Sequence, residues 1–230
     1  MSLLVLDAVT KRTAHGRAEM TLIDGVSMDL AAGELVAIQG RRRSGRTTLL
    51  RLAAGVLAPD EGKVTFAGRN LRGCRVLGSE IGWAHREFRV TEGPTMADQV
   101  GFPLLSHTGR RVARQGGAEA LATYGIGQLA SAHPRDCQPH ELLLAGLARA
   151  AVTSPRLLVV DEPVTGISPA RSQQILDLLR AHALAGMAVL LTVEEFVAGI
   201  DRTLTIHEGK LHGRMLPAGA DVVPLRGRSA

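Results

Sequence analysis

The chain has 230 residues, 45% hydrophobic and 21% charged, a net charge of +5 and an isoelectric point near 10.0. That is an ordinary globular composition, able to bury a core as one domain or as one domain with an inserted subdomain, and its charge suits an anionic partner. Only 3% of residues are aromatic, which argues against the stacking platforms that hold single-stranded nucleic acid, and two cysteines, Cys74 and Cys137, are too few and too far apart for a disulfide framework or a zinc site.

In chain order, the apolar run after Met1 is broken by Asp7 and has no basic segment before it, so it reads as a first strand and not as a signal peptide. Further strand signals lie at residues 2–7, 26–30, 34–38, 63–67 and 80–84; a helix-rich middle follows, and strands return at 156–160, 188–192 and 202–206. Thr47–Ala54 reads as a helix. Pro169 opens another, with Ser168 as N-cap, Ile175, Leu176, Leu178 and Leu179 on its apolar face, and an end near Gly186. That helix joins two strands as a parallel crossover should. From His212 onward the chain loses periodicity, which predicts a tail. No run approaches the roughly 18 to 20 apolar residues of a membrane span, so the chain is expected in the cytoplasm, with any membrane role through a partner.

Two segments carry chemistry. Residues 40–47, GRRRSGRT, fit the phosphate-loop pattern G-x-x-x-x-G-K-[ST] at Gly40, Gly45 and Thr47, with Arg46 at the lysine position. They follow a strand signal and precede a helix, the geometry in which loop N–H groups and a helix N-terminus face an anion. The second segment places Asp161 and Glu162 at the end of the apolar run Leu157–Val160. Nucleotide-hydrolysing sites need carboxylates there, although the pair could simply terminate a strand and cap local N–H groups. The histidines are scattered without ligand spacing and read as surface residues. Arg110, Arg111 and Arg114 read as a solvated helix face; no nucleic-acid partner is expected.

Ordered landmarks give these residues a family. VSMDLAAGELVAIQG, GVLAPDEGKVTFAGRNL, IGWAHREF, LARAAVTSPRLLVVDEP and DRTLTIHEGKL together resemble the ATP-binding subunit of ABC transporters over nearly the whole chain. Among them the short subunits of lipoprotein exporters, macrolide exporters and cell-division permeases look most similar. The resemblance implies an α/β fold: a P-loop NTPase (RecA-like) core with an antiparallel β subdomain, residues 1–85 and 155–211, an inserted α-helical signature subdomain, 86–154, and a tail, 212–230. It implies ATP and Mg2+ as cofactors. Gly40, Arg41, Arg42, Arg43, Ser44, Gly45, Arg46, Thr47 and Thr48 would bind nucleotide, Thr47 and Asp161 would hold the metal, and Glu162 would polarise the attacking water.

Departures from the family pattern are as informative. Arg43 replaces the inner glycine of the loop, Arg46 the lysine and Arg86 the glutamine of the following loop; a guanidinium has no acceptor for a metal. The signature LSGGQ maps onto Cys137–Glu141, where Pro139 lacks an N–H and Glu141 adds negative charge at an anion site. Ser168 stands for an aspartate, Val193 for the switch histidine, and Thr13 for the aromatic residue that stacks on adenine. These losses imply a degenerate subunit that binds nucleotide but turns it over weakly or not at all. It would dock on a transmembrane permease at the inner face of the membrane, paired with a second ATP-binding subunit, a more complete one being favoured over a second copy of this chain. Alternatives are an active ATPase using Arg46 in place of lysine, and a nucleotide-independent scaffold.

Overall fold

The computed structural model describes residues 2–15, 18–72, 79–85, 88 and 90–214. Its organising element is a six-stranded sheet built from β3 (Leu35–Gln39), β6 (Ile81–Ala84), β7 (Leu157–Val160), β8 (Ala188–Val193), β9 (Arg202–His207) and β10 (Lys210–Arg214), in the order β10-β9-β3-β8-β7-β6. All neighbours are parallel except the edge pair β9 and β10. Every residue of β7 and β8 is buried, as expected of strands covered on both faces.

Alternating side chains divide the core in two. Val36 and Ile38 of β3, with Leu157 and Val159 of β7, face a cluster formed with helix α1 (Arg46–Ala53) and a second sheet. That sheet is antiparallel, in the order β2-β1-β4-β5, from β1 (Ser2–His15), β2 (Ala18–Ala31), β4 (Glu61–Phe66) and β5 (Arg69–Asn70). Leu35, Ala37, Leu158 and Val160 face the other way, onto α2 (Met96–Gly101), α3 (Arg110–Thr123), α4 (Pro139–Ala151) and α5 (Pro169–Leu184). This is the α/β core with an antiparallel β sheet and a helical part that the sequence predicts. Between α2 and α3 the backbones almost touch: a Cβ on Gly117 would lie 2.1 Å from the Ala97 carbonyl oxygen, and one on Gly101 2.1 Å from that of Ala113.

Several bounds differ from the sequence expectation. β1 and β2 each run 14 residues, far beyond 2–7 and 26–30, because their polar outer halves pair with one another through register shifts between Leu6 and Arg12. β10 continues through His212 and Gly213 to Arg214, into the segment expected to begin the tail. Ser168 does precede α5 in an extended conformation, but its hydroxyl makes no cap hydrogen bond; its carbonyl accepts from Ser172 N–H at 2.9 Å instead.

Candidate functional site

The strand order sets the site. β3 ends at Gln39 and β7 at Val160, and β8 lies between them, so the loop after β3 and the carboxylates after β7 meet around the end of β8. Gly40 is held to that junction by its N–H, which donates to the Val193 carbonyl at 3.2 Å. A Cβ there would lie 2.6 Å from Ser44 Oγ and 2.7 Å from the Ile206 carbonyl oxygen, so only glycine fits.

From Gly40 the loop curls through two left-handed residues, Arg43 at φ 64° and Gly45 at φ 104°. Arg43 occupies the position where the family pattern has glycine, and its backbone shows why: a side chain there is held in a region that costs on the order of 1 kcal/mol or more. Gly45 also lies against β2, where a Cβ would come 2.7 Å from the Leu22 carbonyl oxygen. Arg41, Arg42 and Arg43 are exposed; Thr47 and Thr48 are half-buried in the first turn of α1.

Arg46 turns inward. It is 4% exposed, and its Nη2 donates to Glu162 Oε1 at 2.6 Å. Its Nη1 is buried with no hydrogen-bond partner, and so is Ser44 Oγ. Two unmatched buried polar atoms two residues apart are unusual, since such groups normally find partners; both could turn to an anion held by the loop.

Asp161 and Glu162 are positioned from three sides. Asp161 is 5% exposed, and its N–H donates to the Ala84 carbonyl of β6 at 3.0 Å. Its carboxylate accepts from Thr47 Oγ1, at 3.0 Å to Oδ2, and from Thr192 Oγ1, at 2.7 Å to Oδ1. Thr192 is wholly buried and also accepts from the Glu162 N–H at 2.9 Å. Glu162 itself has a left-handed backbone, φ 50°. No sequence motif singled out Thr192; the only signal was one hydroxyl residue inside the apolar run of β8. Among the described residues no group of three or more His, Cys, Asp or Glu could hold a metal. A magnesium ion at Thr47 and Asp161 would therefore draw its other ligands from phosphate oxygens and water, its usual habit.

The other expected positions fall elsewhere. Val193 is buried and supplies only its carbonyl, to Gly40. Thr13 pairs in register with Met20 across the β1–β2 hairpin. Arg86 lies outside the described residues. Cys137–Glu141 form the start of α4, where Glu141 Oε2 accepts from the Gln138 N–H at 2.7 Å in a capping box, with Pro139 in the first turn. The helix end is thus closed by its own carboxylate. Cys137 is a free thiol, its pKa raised chiefly by burial and then by Glu141 and Asp136.

Residues 23–165 match the family model described as ABC transporter. A methionine import ATP-binding protein, MetN, of Rhizobium meliloti is 32% identical over 201 residues, covering 84% of this chain and 56% of that protein. The lipoprotein-releasing system ATP-binding protein LolD of Cereibacter sphaeroides is 29% identical over 224 residues, covering 91% of this chain and 98% of that protein. The chain spans 56 to 65% of the first four methionine-import relatives it matches. Among solved structures, the dimeric ATP-binding cassette MJ0796 in a post-hydrolysis state bound to ADP and Pi superposes with a TM-score of 0.84 at 19% identity, over 91% of this chain and 98% of that one.

Proposed function

Because this chain belongs to the ABC transporter family, as an ATP-binding domain, we propose that it is a degenerate subunit: it binds nucleotide with Mg2+ and hydrolyses it weakly or not at all. The observation that carries this reading is the Arg46–Glu162 contact of 2.6 Å between two nearly buried side chains. In this reading Gly40–Thr48 hold the phosphates, and Thr47 and Asp161 hold the metal, which neutralises phosphate charge. Glu162 is the group that would accept a proton from the attacking water. One of its oxygens is already engaged by a guanidinium, and moving that guanidinium away would take the Arg46 charge, 4% exposed, from this carboxylate, a large cost.

The start of α4 supports the same reading. In the family the signature's N–H groups meet a phosphate held by the opposing subunit; here Pro139 has no N–H and the Gln138 N–H is taken by Glu141. Two copies of this chain would pair two incomplete sites, so a second, more complete ATP-binding subunit is the favoured partner. The relatives named for methionine import and lipoprotein release place such domains in transport, and we extend to this chain their setting on a membrane permease. No helix among the described residues is long and apolar enough to cross a membrane.

Calorimetry with MgATP and steady-state hydrolysis test the proposal together. Saturable binding, with a residual turnover that Glu162→Gln leaves unchanged, is expected. Turnover abolished by Glu162→Gln would instead establish an active ATPase using Arg46, and absence of any saturable binding would establish a scaffold.

A further inference from the structure

Two hairpins in this chain turn on the same dihedral pattern. β9 and β10 are joined by Glu208 and Gly209, at φ 48° and 75°, with His207 and Lys210 paired across them. β4 and β5 are joined by Ala67 and Gly68, at φ 48° and 78°, with Phe66 and Arg69 paired. A two-residue hairpin turn favours two left-handed residues, and glycine takes the second place in both at no steric cost. What surrounds the turns differs. A Cβ on Gly68 would have nothing within 4 Å, whereas one on Gly209 would lie 2.6 Å from the Leu22 carbonyl oxygen and 3.2 Å from Ile23 Cα, both backbone atoms of β2.

Gly209 is also bonded on both sides. Its carbonyl accepts from the Asp24 N–H of β2 at 3.0 Å, and its N–H donates to the Ser44 carbonyl of the loop after β3 at 3.2 Å. Gly45 closes on the same support, since a Cβ there would come 2.7 Å from that Leu22 carbonyl oxygen. Ser44 is held by its backbone alone: its N–H donates to the Arg41 carbonyl at 3.2 Å, and its hydroxyl is buried without a partner. The Ser44 carbonyl and the Gly45 N–H belong to one planar trans peptide, so they point in opposite directions. Anchoring that carbonyl on the turn therefore aims the Gly45 N–H away from the turn. Among the described residues this N–H has no hydrogen-bond partner. The bond accepted by the carbonyl also polarises the N–H of the same peptide and strengthens it as a donor.

We propose that Gly209 is a positioning residue for the phosphate loop: through Ser44 it orients the Gly45 N–H toward the phosphate chain of a bound nucleotide. The proposal rests on the nucleotide-binding reading above and adds to it a residue that no phosphate-loop pattern contains.

Alanine at the two turn glycines separates this role from turn formation, because both substitutions carry the same left-handed strain and only one meets β2. Calorimetry on the full chain with MgATP reads affinity and stoichiometry for the parent, Gly209→Ala and Gly68→Ala. Gly209→Ala should bind about tenfold more weakly at unchanged stoichiometry, and Gly68→Ala should keep the parental affinity. A purely structural role would lower the stoichiometry, which counts folded molecules, and leave their affinity alone. The backbone amide resonance of Gly45 gives a second reading without nucleotide: it should shift in Gly209→Ala and stay in place in Gly68→Ala. If Gly209→Ala does not fold, Gly209→Asn replaces it in both measurements, because asparagine keeps the Cβ and adopts the left-handed backbone more readily. Parental affinity in the Gly209 variant, or an equal loss in Gly68→Ala, would overturn the positioning role while leaving nucleotide binding intact. If the parent itself does not bind MgATP saturably, both this inference and the nucleotide-binding reading fall.

Discussion

The Thr192 hydroxyl joins the carboxylate pair to its strand. It donates to Asp161 Oδ1 and accepts from the Glu162 N–H, in a position with no solvent to replace either bond. Thr192→Val keeps the shape and removes both bonds, leaving a buried carboxylate oxygen and a buried N–H short of partners, at a cost of about 1–3 kcal/mol. Urea denaturation should show that loss, with Thr192→Ser recovering most of it; a valine variant as stable as the parent would mean the hydroxyl is incidental. Arg46 teaches a related lesson. Its presence in place of lysine is visible in the motif, but its contact is with a residue 116 positions away, which no local pattern announces. Arg43 is the opposite case: the departure was visible, and the backbone at φ 64° gives it a physical meaning.

The helices were legible where apolar periodicity is strong. α5 starts at Pro169 as its sequence predicts and buries Ile175, Leu176 and Leu179. The long hairpin was not legible, because Lys11–His15 and Ala18–Thr21 carry no alternation and pair only with each other. A contact between elements also escaped the reading of the histidines as surface groups: the Tyr124 hydroxyl, at the end of α3, lies 2.7 Å from His182 Nε2 in the last turn of α5. Burial raises the Tyr124 pKa above its ordinary range and lowers that of His182 below 6.5. The phenol therefore keeps its proton and the imidazole is neutral in the hydrogen bond they share. An imidazole whose folded pKa lies below its unfolded value binds fewer protons when folded across that interval, so this contribution to stability is full above pH 6.5 and declines as pH falls below it. Thermal unfolding from pH 7.5 to about pH 5 should show the parent losing stability relative to His182→Gln as acid is added. Parallel curves would remove the imidazole from the account.

At the scale of the whole molecule, the fold superposes on that of a dimeric cassette with a TM-score of 0.84, and its central sheet presents the loop after β3 and the carboxylates after β7 on one edge. In the proposed reading, the capping box at the start of α4 keeps two copies of this chain from closing on nucleotide. Sedimentation of the Glu162→Gln variant with MgATP should show a monomer, whereas a tight ATP-dependent homodimer would mean that Cys137–Glu141 accept the opposing phosphate after all. The strand, glycine-rich loop and helix around Gly40, the apolar strand ending at Asp161, and through them the family were determined by the sequence alone, because each is a pattern of neighbouring residues. The partners were decided only by the tertiary structure. β8 lies between β3 and β7, and that order brings Thr192 to Asp161 across 31 positions and Arg46 to Glu162 across 116. Hydrogen bonds depend on distances in space, and spacing along the chain does not encode them.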